Sequence, residues 1–326
     1  RYKENLLLIQ TVLGPVDVDD LGVCLTHEHI WCDQRLGPRG YLHSTLRSEN
    51  NYMLLNDFDR MLAELIAFRK AGGNSIVEVT CDGWGRDLDV LAKLSEKAEV
   101  HIIATSGYYI EPHIPLFVDS MPLNMIADRL TDEIVSGVGT EKRKCGVFKS
   151  AIHKSRVEGL ELKVLQAIAI AHKRTGVPIT THTTASRSME VKGGIAGIEQ
   201  LDILKSEGVS PTALIMGHVD QRPDIDVLIA LAQQGCFIQF DLIGKEHYVK
   251  DSTRAAIIHR LIREGYLNNI LLSQDRNRSY EMRYGGNTGY CHIFEVFIPL
   301  LRERGVSLSD IEIMMCANPA RAFSFE

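Results

Sequence analysis

A single (β/α)8 barrel is the fold class that this sequence predicts, and two observations predict it. Eight short runs rich in Val, Ile or Leu recur along the 326 residues, and amphipathic stretches separate them. Such regular alternation implies a parallel sheet with crossover helices, and eight repeats imply closure into a barrel. No proline-rich linker or low-complexity segment divides the chain, so residues 1–326 are expected to form one domain.

The strand-like runs are 22–26, 75–80, 101–106, 146–150, 178–182, 213–218, 237–242 and 269–273, each bounded by turn residues. Helical patterns fill 58–71, 158–175, 225–234 and 252–264. Each stops at or just before a glycine, at Gly72, Gly176, Gly235 and Gly265. Two irregular stretches, 33–56 after the first run and 276–289 after the eighth, are placed by this topology over the barrel mouth, where long loops carry function.

Bulk properties narrow the partners. The net charge of −6 argues against nucleic acid, which recruits basic surfaces. It leaves room for a small anionic ligand held by a few focused cations. No run approaches the ~20 apolar residues that span a bilayer. The apolar run 6–9 is too short for a signal-peptide core. Seven cysteines occur singly, without a CxxC pair, which suits the reducing cytoplasm.

Chemistry-bearing residues gather at the strand ends. Thr26-His27-Glu28-His29 ends the first run, and residues i and i+2 of a strand share a face, so His27 and His29 can hold one ion. Lys149 finishes the fourth run. If it faces inward, desolvation frees a neutral amine that can add CO2 and become a carbamate. His182, His218 and Asp275 finish the fifth, sixth and eighth. Any one of these is unremarkable at a strand terminus. Together they converge on the C-terminal face of a barrel, where active sites lie, and make a set suited to two divalent metals.

In this pattern the sequence resembles the amidohydrolase superfamily. Its phrases Leu25-Thr26-His27-Glu28-His29, Cys145-Gly146-Val147-Phe148-Lys149, Gly176-Val177-Pro178-Ile179-Thr180-Thr181-His182-Thr183, Gly217-His218, Ser273-Gln274-Asp275 and Asn318-Pro319-Ala320-Arg321 narrow it to the phosphotriesterase and lactonase family. The resemblance implies that His27, His29 and Asp275 hold a buried metal and that His182 and His218 hold a more exposed one. Carboxylated Lys149 and a hydroxide would bridge them. Zinc suits these ligands, and manganese or cobalt also fits. The hydroxide would attack an acyl or phosphoryl centre, and Asp275 would pass its proton to the leaving alkoxide. Tyr109, after the third run, matches a tyrosine that the lactonase branch places beside the metals. A homodimer is the assembly that the resemblance implies.

Substrate preference is read from the loops after the seventh and eighth runs. Organophosphate-degrading relatives are apolar there, whereas this sequence offers Lys245, Arg276 and Arg278, with the Tyr280 hydroxyl nearby. Cations above a hydrolytic centre suit a phosphate handle, so the expected substrate is a phosphorylated sugar lactone. A phosphotriesterase or other phosphoester hydrolase is the alternative, and a non-catalytic metal-binding barrel the third reading. Arg222 after His218, and Leu242 where relatives carry a histidine or arginine, depart from the phosphotriesterase pattern. The remaining histidines, His153 among them, are read as structural, except that His247, two residues past Lys245, could reach the site.

Overall fold

The computed structural model describes residues 7–35, 37, 51–153, 156–183 and 194–325. Most of the stretch 33–56, including His43, therefore lies outside the described residues. Eight parallel strands form one sheet in chain order: β1 (Cys24–Glu28), β2 (Ser75–Glu78), β3 (His101–Gly107), β4 (Val147–Ile152), β5 (Ile179–Thr183), β6 (Leu214–Met216), β7 (Phe237–Phe240) and β8 (Ile270–Leu272). Every predicted run coincides with a strand, although the second, sixth, seventh and eighth strands stop short of the predicted ends.

The barrel closes where β8 meets β1. Thr26 Oγ1 donates to the Leu272 carbonyl at 3.3 Å, and the Asp275 N–H donates to the His27 carbonyl at 3.1 Å. The Ser273 hydroxyl sits between, accepting from the His27 N–H at 2.9 Å.

Helices cover the outside because their apolar faces need burial. Helix α1 (Phe58–Lys70) starts where Asp57 caps the Arg60 N–H, and it buries Met61, Leu65 and Phe68. Helices α2 (Leu88–Ala98), α3 (Leu123–Val135) and α4 (Gly159–Thr175) follow β2, β3 and β4. Helices α5 (Gly194–Ser206), α6 (Ile225–Gln233) and α7 (Asp251–Arg263) follow β5, β6 and β7. No helix among the described residues is long and apolar enough to cross a membrane.

Strand alternation sorts the core into an outer and an inner part. Ile76, Ile102, Phe148, Ile179, Leu214, Ile238 and Ile270 pack outward against the helices. Cys24, Val77, Ile103, Val147, Ile215, Phe237 and Leu271 fill the barrel, and the β-hairpin Leu8–Thr11 and Gly14–Asp17 contributes Ile9 at its base. The period of two then dictates what reaches the mouth. Lys149 follows Val147 inward, and Asp241 follows Phe237 inward by way of Gln239.

Two ligand positions need more than alternation. Between β1 and β2 the register runs from Leu25↔Ile76 to Glu28↔Glu78, so β1 carries one extra residue. This bulge shifts the phase set by Cys24 and turns both His27 and His29 inward. On β6 the inward residue after Ile215 is Gly217, where a Cβ would lie 2.2 Å from the Thr181 carbonyl oxygen. The chain turns instead at His218, whose φ of 57° is left-handed, and this brings its imidazole into the mouth. Asp275 has φ 49°, so among the described residues two of the four non-glycine left-handed positions are candidate ligands. Strain of this kind persists where surrounding contacts over-determine it.

Candidate metal centre

His27, His29, Lys149, His182, His218 and Asp275 all line one cavity of about 330 Å³ at the C-terminal ends of the strands. Each is at most 8% exposed. The ring nitrogens are assigned by their anchors. His27 Nδ1 lies 2.9 Å from Asp241 Oδ2 and 3.2 Å from Gln239 Oε1, both acceptors. His218 Nδ1 lies 2.8 Å from Asp241 Oδ1. His29 Nδ1 lies 2.8 Å from Thr80 Oγ1, whose own proton goes to Glu78. All three rings therefore carry the proton on Nδ1 and present the Nε2 lone pair.

Those lone pairs converge. His29 Nε2 is 3.3 Å and His27 Nε2 is 3.7 Å from Asp275 Oδ1, and Lys149 Nζ is 3.3 Å from His27 Nε2. Tetrahedral ligands ~2.1 Å from a zinc-sized cation stand ~3.4 Å apart, so this spacing fits a divalent ion. His27, His218 and Asp241 also bring ligand atoms within 4.8 Å of one another. Asp241, however, spends both oxygens on the Nδ1 atoms and the His218 N–H, so it orients two ligands rather than serving as one.

Glu28, between the two histidines, is completely buried and accepts from Ser273 Oγ and from the N–H groups of Gln274 and Arg276. It pins the segment that carries Asp275 onto β1. Burial pushes its carboxyl up to about 7 against those bonds.

The remaining predicted residues separate. Lys245 lines the cavity with its Nζ 2.6 Å from Asp275 Oδ2. Burial alone would lower this amine, but Asp275 and Glu281 reverse the effect and hold it raised. Arg278 lines the wall and bonds Gln34, and Tyr280 stands half-exposed at the rim beside Tyr52. Arg276 corrects the expectation, because it does not reach the cavity. Its N–H and carbonyl are both spent on β1, on Glu28 and His29. The guanidinium turns back against Gly244, where a Cβ would meet Nη2 at 2.3 Å.

Tyr109 does stand beside the centre, with its hydroxyl 3.2 Å from His182 Nε2. Trp84 stacks on Tyr109 at 4.0 Å between centroids and meets His29 edge-on at 5.2 Å. Behind them His113 is fully buried with neither ring nitrogen bonded, and burial lowers it to about 4. As pH falls from 6.5, the unfolded chain takes this proton before the folded one, so stability drains until pH ~4. The loss is on the order of 3 kcal/mol. Urea unfolding at pH 7 and pH 4 is expected to show wild type losing that much more than His113→Leu. Parallel losses in the two proteins would refute the assignment.

Sequence reading missed three contributors. Asp241 carries a usable signal, since it is in phase with Phe237 on an inward register. Trp84 lies in a turn after β2 with no periodic signal. His153, read as structural, lines the cavity, and so does His247, for which the spacing left that place open.

A profile of the phosphotriesterase family matches residues 7–323. The chain belongs to the phosphotriesterase family. The phosphotriesterase homology protein of Escherichia coli K12 is 30% identical over 308 residues, covering 94% of this chain and 99% of that one. Its crystal structure, with phosphate in the active site, has a TM-score of 0.84 at 29% identity, again covering 94% of this chain and 99% of that one. An N-acetyltaurine hydrolase of Dictyostelium discoideum is 30% identical over 369 residues, with 98% of each chain covered. The structure of a lactonase from Listeria monocytogenes matches with a TM-score of 0.87 at 27% identity, over 98% of this chain and 99% of that one. Membership of the phosphotriesterase family makes the protein a metal-dependent hydrolase of the amidohydrolase superfamily, and the cavity brings together candidate His and Asp metal-binding groups.

Proposed function

We propose that this hydrolase opens a lactone carrying an anionic group, best fitted by a phosphorylated sugar lactone. The observation that carries the reading is Lys245, a cation only 6% exposed on the wall of the metal cavity, with Arg278 on the same wall. The buried ammonium is kept charged by its carboxylates, and the one donor left after Asp275 and Asn277 suits a phosphate oxygen. Arg276 drops out of the handle because it faces away. Lys245 and Arg278 on the wall favour an anionic substrate over a neutral phosphotriester.

The ligand set fits two divalent ions, zinc above all, held by His27, His29, Asp275, His182 and His218, with Lys149 between them. Among the described residues no carboxylate lies within ion-pair distance of Lys149 Nζ, which faces an imidazole instead. Burial lowers this amine. A neutral amine among lone pairs is reactive toward CO2, and the resulting carbamate would supply the missing anion. Bound metals would supply polarisation of the acyl oxygen and a lowered pKa for water. Asp275 would take the proton of the attacking water, and the Tyr109 hydroxyl would orient the acyl group. Seven unpaired cysteines support a cytoplasmic location.

A second reading has a specific observation behind it. Relatives matching 98% of the chain are N-acetyltaurine hydrolases, whose named substrate is an amide with an anionic tail. The same cations would suit it.

The test compares a five-carbon aldonolactone, its 5-phosphate and N-acetyltaurine, with zinc-loaded protein grown in bicarbonate. The phosphorylated lactone is expected to win, and Arg278→Ala to raise its KM about 10–100-fold, the worth of a charged hydrogen bond. KM for the plain lactone should hardly move. Equal rates for the two lactones would remove the phosphate handle. Turnover of N-acetyltaurine alone would install the second reading.

A further inference from the structure

The cavity wall holds a proton-handling pair that the metal centre does not use. His153 follows the end of β4, four residues beyond Lys149, and lines the cavity. Its Nδ1 lies 2.6 Å from Oε1 of Glu161, whose side chain is 1% exposed. Glu161 stands in the first turn of α4, where the helix dipole favours an anion. It also accepts from the His153 N–H at 3.2 Å and from the Glu111 N–H at 3.2 Å. The carboxylate is thus fixed from two loops and a helix.

A carboxylate so placed accepts the Nδ1 proton of His153 and fixes both tautomer and ring direction. Glu161 takes Nδ1 and leaves the Nε2 lone pair, on a ring that is 35% exposed and lines the cavity. This is the arrangement by which a carboxylate equips an imidazole to exchange a proton with substrate. A purely structural histidine needs no such opening onto the reaction chamber.

Ring opening needs a donor of this kind. The departing oxygen of a lactone is an alkoxide, far too basic to leave unprotonated. The second oxygen of Asp275 is taken by Lys245 at 2.6 Å, so a proton that Asp275 accepts from water needs a carrier onward to the leaving oxygen. We infer that His153, positioned by Glu161, is the general acid that protonates the leaving oxygen. Water adds its oxygen to the acyl carbon, and its proton passes by way of Asp275 to the Nε2 lone pair of His153. The ring C–O bond breaks, and its electron pair takes that Nε2 proton. Asp275 and His153 end as they began, so nothing is consumed but water. Glu161 acts through His153 and is a positioning residue.

The inference rests on the lactone reading, and the experiment separates the two. The phosphorylated five-carbon lactone is compared with its thiolactone, whose thiolate leaves without help because thiols ionise near pH 8.5. His153→Asn is expected to lower kcat on the lactone about 100-fold with KM little changed, the usual worth of general acid catalysis. On the thiolactone the loss should stay below about fivefold. Glu161→Gln should reproduce the lactone-selective loss in weaker form. Equal losses on both substrates, or a raised KM with kcat intact, would overturn the assignment and leave His153 as a binding group.

A second readout needs no turnover. The ring-nitrogen NMR signals of His153 in the metal-loaded protein should show the proton on Nδ1, and Glu161→Gln should disturb them. A proton on Nε2 at neutral pH, or indifference to Glu161→Gln, would overturn the pair. If wild type opens neither lactone, the substrate reading fails, and the NMR result alone decides whether His153 and Glu161 form the pair.

Discussion

Lys149→Met is expected to abolish most turnover and to leave the protein unable to hold two metal ions. The amine sits at the centre of the cavity, 1% exposed, with its Nζ 3.3 Å from His27 Nε2. Methionine keeps the length and apolar stem, so the barrel interior above Val147 should stay packed. What disappears is the buried amine proposed to become an anion by adding CO2. Electrophilic activation by a metal is worth several kcal/mol, and each ~1.4 kcal/mol is tenfold, so kcat should fall on the order of a thousandfold. Metal analysis should then find one equivalent at most. Lys149→Glu, which restores a carboxylate on a shorter stem, should recover part of the binding. Carbon NMR of wild type grown with labelled bicarbonate should show a carbamate signal that both variants lack. Two tightly bound metals and ordinary turnover in Lys149→Met would discard the bridging role.

The barrel and most of this centre were legible in the sequence because both are written in strand periodicity. Eight apolar runs gave eight strands, and polar residues interrupting their ends gave the candidate ligands that line one cavity. Lys149 is inward simply because Val147 is. What periodicity does not encode is where the period breaks. The β1 bulge that turns His27 and His29 inward, and the left-handed turn at His218, are local departures seen only in space. Arg276 shows the opposite failure. Its neighbour Asp275 faces the cavity, yet Glu28 and His29 take its backbone groups and send its side chain behind the loop. His153 was set aside because its partner Glu161 lies on the following helix. Asp241 was not singled out, although two residues of alternation from Gln239 point it at the candidate ligands His27 and His218.

Asp241 accordingly carries the second large effect. One carboxylate holds two rings, His27 through Oδ2 at 2.9 Å and His218 through Oδ1 at 2.8 Å, and also caps the His218 N–H. Burial would raise this carboxyl, but His218 and His27 outweigh it and keep it ionised well below the usual carboxylate range. Asn in its place is nearly isosteric and still accepts through one oxygen. Its amide nitrogen can only donate, and it would face the Nδ1 proton of one of the two rings. That ring must flip its tautomer or rotate, and either change withdraws the Nε2 lone pair from the cavity. Anchors of this kind are worth 10–100-fold in metal affinity or activity, and here two ligands share one. Asp241→Asn is therefore expected to weaken the tighter metal about 100-fold in a chelator competition, with kcat falling at least as far at limiting metal. Saturating zinc should restore part of the activity, because the ligands are misdirected rather than removed, whereas His218→Ala should resist such rescue. Unchanged metal affinity in Asp241→Asn would mean that the rings hold their direction by packing alone, and that the carboxylate serves instead as a ligand or a spectator.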